Sequence, residues 1–164
     1  MRAKKKKVLL IIAILLILAA VVATLFQFTQ FGYLTTVPYR PAFTEIASHV
    51  YINRDYAGDR QELLEMIEQA KDRVRTFFGD LHFQDETTFI ICDDGKLTRK
   101  LGEDHGTVIV SFPVEAYYVC ISDEYLELDI LAHEITHAEL HSRLPAEAQK
   151  TIPTWFDEGI VLEV

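Results

Sequence analysis

His133 and His137 stand four residues apart, with Glu134 directly after the first, in the run His133-Glu134-Ile135-Thr136-His137. On an α-helix, side chains at i and i+4 lie on one face, one turn apart. Both imidazoles can therefore reach one tetrahedral Zn²⁺. Glu134 sits about 60° from His137 on the helical wheel. Its carboxylate then lies beside the metal, near the coordination position that a water would fill, where it can take a proton from that water and pass it to a leaving group. His137 and His141 form a second pair with the same spacing, but Ala138 follows its first histidine where a base would be needed. His141 is therefore read as a residue at the rim of the site.

A catalytic zinc takes three protein ligands and keeps one position open. The run Trp155-Phe156-Asp157-Glu158-Gly159 follows the histidines, with 20 residues between His137 and Glu158. An H-E-x-x-H helix followed at this distance by a tryptophan and an acid-Glu-Gly run resembles the gluzincin metallopeptidases of the broad peptidase MA-like group. It is most similar to the small members called minigluzincins. The resemblance covers residues 107–164. It implies that His133, His137 and Glu158 are zinc ligands, that Glu134 is the general base, and that the reaction is peptide-bond hydrolysis.

Three features depart from that pattern. The family usually carries a Tyr, His or Arg beyond the third ligand to stabilise the oxyanion, and the sequence stops six residues past Glu158, before such a residue would appear. Tyr117, Tyr118 and His105 are upstream candidates, and nothing in the sequence selects among them. The acidic residue often found one turn after the third ligand is replaced by Leu162, with Glu163 one residue off. The Gly-x-Met-Glu-Asn motif of the aminopeptidases is absent, which argues against an exopeptidase of that type.

These residues need a scaffold. Leu128, Leu131, Ile135 and Ala138 make one apolar side of the H-E-x-x-H helix, and Leu126, Ile130, His133 and His137 the opposite side, with Asp129, Thr136 and Glu139 as a polar stripe between. Ser122 or Asp123 is the expected cap of this helix, which runs to about Ser142. Residues 59–78 carry Leu63, Ile67, Ala70, Val74 and Phe77 at helical spacing, with Asp59 to cap the start and Gly79 the end. Residues 87–92, 107–112 and 117–122 are β-branched and apolar strands, the last two joined as an antiparallel hairpin. A short strand is expected at 49–53. Turns fall at Asp93-Asp94-Gly95, whose spacing does not match an EF-hand, and at 102–106. Residues 144–153 form a connection with a helical turn within it. Thr154 begins a last helix, with Asp157 at capping-box spacing and Trp155 and Phe156 packing it down.

The basic residues are unevenly placed. Arg2, Lys4, Lys5, Lys6 and Lys7 are five of the 16, which leaves 11 against 25 acidic residues, a formal charge of −14. Such a body lacks the clustered Lys and Arg that phosphate binding requires, so nucleic acid is excluded as a partner. Residues 8–26 contain Thr24 as the one non-apolar member. A helix of that length spans about 28 Å, close to the hydrocarbon thickness of a bilayer. The basic cluster before it places the N-terminus in the cytoplasm and the acidic domain outside. The competing reading is a cleaved signal peptide with small residues near Ala20 and Ala23; both readings export the body. Residues 27–44, with Pro38 and Pro41, read as a linker. Cys92 and Cys120 form either a disulfide or two buried thiols.

The expected protein is α+β: a small mixed sheet packed on helices, with the H-E-x-x-H helix in residues 45–164, a cytoplasmic tail at 1–7 and one N-terminal transmembrane helix at 8–26. The expected function is a membrane-anchored, extracytoplasmic zinc endopeptidase acting on peptides, with the 117–122 strand as the sheet edge that receives them. The alternatives are an inactive zinc-binding sensor or scaffold and an anchored interaction domain without metal. Oligomeric state is left open.

Overall fold

The computed structural model describes residues 2–27, 29–82, 87–92, 107–112, 116–149 and 151–164. They fall into two units, Met1–Val37 and Pro38–Val164. The predicted turns at 93–95 and 102–106, with His105, lie outside the described residues, as do 113–115.

The first unit holds α1 (Arg2–Gln27) and α2 (Gln30–Thr35). Among the described residues, no helix is long and apolar enough to cross a membrane. The described side chains of α1 are exposed, Ile17 by 64% and Leu25 by 62%. The segment 27–44 contains more structure than its prolines suggested. Thr29 caps α2 by accepting the Gly32 N–H at 3.0 Å. A 3-10 turn follows at Val37–Tyr39, and the first strand begins at Phe43.

The second unit is α+β. Strands β1 (Phe43–Ala47), β2 (Val50–Asn53), β3 (Thr87–Cys92), β4 (Thr107–Phe112) and β5 (Ala116–Ser122) form one sheet in the order β1-β2-β3-β5-β4. The β2–β3 and β3–β5 pairs are parallel and the two outer pairs antiparallel, so the sheet is mixed. The hairpin expected from 107–122 is present, with Ile109 opposite Val119. β5, however, lies inside the sheet between β3 and β4, so the expectation that it forms the receiving edge is wrong. The edge on that side is β4. Strand order depends on which hydrophobic faces meet, and local pattern does not encode it. Val50, not His49, opens β2. His49 sits in the turn at φ 60°, a left-handed conformation that His tolerates better than most residues.

Helix α3 (Arg60–Phe78) connects β2 to β3. Asp59 accepts the Gln61 and Glu62 N–H groups, and Gly79 closes the helix at φ 88°. Leu63, Ile67, Ala70 and Val74 are each at most 1% exposed. They pack with Val50, Ile52, Phe89, Ile91, Val119 and Ile121 of the sheet and with Leu131, Ile135 and Ala138 of α4 (Leu128–Ser142). Each of the larger side chains among them contributes about 1.5–3 kcal/mol by leaving water. Phe77 is 45% exposed, and Phe78 packs on the core in its place.

α4 starts later than its sequence suggested. Ser122 is the last residue of β5, held opposite Cys92 by strand pairing, and its buried hydroxyl has no hydrogen-bond partner among the described residues. The chain makes a 3-10 turn at Asp123–Tyr125 and enters α4 through Glu127. The expected polar stripe is also divided. Asp129 is exposed and pairs with Arg73 at 2.5 Å, whereas Thr136 and Glu139 are fully buried. Thr136 donates its hydroxyl to the Ala132 carbonyl at 2.7 Å. Glu139 accepts the His82 backbone N–H at 2.9 Å and the Arg143 Nε–H at 2.5 Å. Arg143 also bonds the Asp80 carboxylate and its carbonyl, and lies over the Phe78 ring. This network fastens the end of α4 to the end of α3. Cys92 and Cys120 are both buried and not joined in a disulfide, and burial pushes the Cys120 thiol well up.

Candidate metal centre

The site is assembled by α4 and α6 (Thr154–Val161), which pack on each other. Between them, α5 (Ala146–Gln149) turns the chain back. Gln149 donates to the His141 carbonyl at 2.8 Å and to the Leu144 carbonyl at 2.9 Å, tying α5 to the end of α4. At the far end, Arg73 of α3 holds the Val164 carbonyl at 3.0 Å. The chain beyond α6 is thus tied to α3, and Val161 of α6 is buried. Trp155 and Phe156, expected to pack it down, are instead 76% and 42% exposed.

One turn of α4 separates His133 and His137, and their Nε2 atoms lie 3.2 Å apart. Glu158 comes from the middle of α6. Its carboxylate oxygens stand 3.9 Å from His133 Nε2 and 3.8 Å from His137 Nε2. His133, His137 and Glu158 form a group that could hold a metal ion, one ligand atom from each lying within 4.8 Å of the others. The donor chemistry fits. Tetrahedral zinc with bonds of about 2.0–2.1 Å sets its ligand atoms roughly 3.3 Å apart. The imidazole pair already has that spacing, and the carboxylate is wider by about half an ångström, within the reach of a side-chain rotation. The His133 pKa is lowered by burial and by the adjacent His137, against the opposing charges of Glu158 and Asp157. The neutral ring is the form that ligates.

Asp157 was expected to serve its own helix as a capping residue. Its carboxylate goes elsewhere: Oδ1 lies 2.9 Å from His137 Nδ1 and Oδ2 lies 3.4 Å from His141 Nε2. The helix start at Pro153 has no side-chain cap. A carboxylate on the far nitrogen of a ligating histidine fixes its ring and tautomer. Sequence offered only one sign of this role, an acid directly before Glu158, and the capping spacing masked it. His141, read from sequence as a rim residue, thus faces the Asp157 carboxylate with its side chain 21% exposed.

Glu134 is outside the three-residue group. It is 7% exposed, and its charge reaches the buried Cys120 thiol on β5. Tyr117 belongs to the core cluster, and Tyr118, on the opposite face of β5, is also buried.

Comparisons with models of known protein families, with curated proteins and with solved structures return no match.

Proposed function

We propose that this chain is a membrane-anchored, extracytoplasmic zinc endopeptidase of the gluzincin type. The observation that carries the reading is the convergence of His133, His137 and Glu158 from two helices on one point. Asp157 behind His137 adds to it. Zinc held there would polarise a carbonyl and lower the pKa of water. Glu134 accepts the proton of the attacking water and returns it to the departing amine. Glu158 supplies one negative charge to the site and leaves it partly open, its side chain being 56% exposed. The outer side of β4, the edge strand among the described residues, would offer backbone donors and acceptors to an extended peptide. Residues 8–26 are the anchor, and the exposed isoleucines and leucines of α1 support lipid surroundings.

The burial of Glu134 supports a second reading, a zinc-holding scaffold without turnover. Hydrolysis of a quenched-fluorescent peptide library by the full chain in detergent micelles separates the two. Zinc-dependent cleavage that disappears in Glu134→Gln, with zinc retained, supports the peptidase. Equal background in both proteins selects the scaffold. Less than about half an equivalent of zinc in the wild-type protein, unchanged by His133→Ala, removes both readings.

A further inference from the structure

We propose that His141 is a positioning residue of the metal centre: it holds the second oxygen of Asp157 and so keeps His137 in the tautomer that presents Nε2 to a metal. The inference rests on the metal-binding reading above and extends it by one residue.

A carboxylate accepts hydrogen bonds and does not donate them. The ring nitrogens that face it must therefore carry the protons: Nδ1 of His137 at 2.9 Å and Nε2 of His141 at 3.4 Å. With the proton on Nδ1, His137 turns the lone pair of Nε2 toward His133 Nε2 and Glu158. A carboxylate held by one oxygen can swing about its own bonds; held by both, it has one orientation. Asp157 is 23% exposed at its side chain, and water can compete for whichever oxygen lacks a protein partner. His141 removes that competition. Its own placement is set by position, one turn beyond His137 on α4, and by the Gln149 bond to its carbonyl. The chain His137–Asp157–His141 thus joins α4 to α6 through a carboxylate one residue before the third ligand. Whatever fixes Asp157 also fixes where Glu158 begins.

The experiment compares wild-type full chain, His141→Gln, His141→Phe and His141→Leu. Glutamine keeps an N–H donor without the ring, phenylalanine the ring without the donor, and leucine is a smaller donor-free side chain should phenylalanine crowd the helices. Two readouts are used. Nitrogen-15 spectra of metal-free, histidine-labelled protein report the His137 tautomer. Competition with a chromophoric chelator gives the zinc dissociation constant. The expected result is an Nδ1-protonated His137 in the wild type and in His141→Gln, and mixed tautomers in the donor-free variants. Zinc binding should weaken about 10-fold in those variants, the low end for an outer partner of a ligand, and recover to within about 3-fold in His141→Gln. Donor-free variants that fold and keep both the wild-type tautomer and the wild-type zinc affinity overturn the proposal. If the wild type binds no zinc, the functional reading fails, while the tautomer comparison still decides the role of His141.

Discussion

Helix α4 carries two charged clusters on opposite sides. His137 and Glu139 are two residues apart, about 200° around the helix. At Glu139 the carboxylate is fully buried, and both oxygens are taken, by the His82 backbone N–H and by Arg143. At Glu158 the carboxylate is more than half exposed and stands 3.8–3.9 Å from two ring nitrogens, farther than any hydrogen bond. The first cluster is saturated by the protein. The second holds donor atoms that converge on a point, at spacings too long for a hydrogen bond to the carboxylate. Residue types alone would not separate the two, since each pairs acids with nitrogen bases. Saturation and access to solvent do. A buried carboxylate must be fully bonded to be tolerated, whereas a ligating one must keep lone pairs available.

Substitutions should therefore dissociate into two sets. The largest effect is expected from Glu134→Gln, which should lower peptide turnover by about 10²–10⁴-fold, the usual worth of a general base, with zinc content unchanged. Turnover within a few-fold of wild type would remove Glu134 from the mechanism. Arg143→Ala should destabilise the fold by about 3–5 kcal/mol in denaturant titration, because it strands a buried carboxylate. Glu139→Gln in the same background should recover part of that loss, and zinc affinity should hardly move in either. If Arg143→Ala weakened zinc as much as it weakened the fold, the two clusters would not be independent. Asp157→Asn should do the reverse, weakening zinc about 10–100-fold with little change in the stability of the metal-free protein.

The smallest effect concerns pH. The Arg143 guanidinium bonds the Asp80 carboxylate and holds its pKa below the ordinary value, against the opposing effect of desolvation. A depressed carboxylate pKa contributes stability above the unfolded-state value, roughly pH 4, and that contribution is lost as pH falls through the folded-state value. Asp80→Asn should therefore narrow the difference in denaturation midpoint between neutral and acid solution. An unchanged acid limb would show that the exposed pair adds nothing measurable, as many surface pairs do.

Much of the scaffold was legible along the chain. Asp59 and Gly79 bound α3 as expected, because each cap is a bond between near neighbours. β3, β4 and β5 fall where β-branched residues cluster. The His133–His137 face follows from helical period alone. What escaped was each case in which a residue had a local and a distant partner. Ser122 could cap a helix or end a strand, and pairing with Cys92 kept it in the strand. Glu139 looked like a solvated stripe until Arg143 and His82 enclosed it.

By itself, then, the amino-acid order determined the periodic elements, the caps of α3 and the His133–His137 pair, since these depend on contacts within a few residues, whereas Glu158 was singled out by a resemblance and not by a local contact. The tertiary structure decided that β4 forms the edge, that Trp155 lies exposed, and that Asp157 bonds His137 and His141 in place of its own helix start. The reason is geometric: a carboxylate takes the donors that come within about 3 Å of it, and which donors those are is set by how closely α4 and α6 pack.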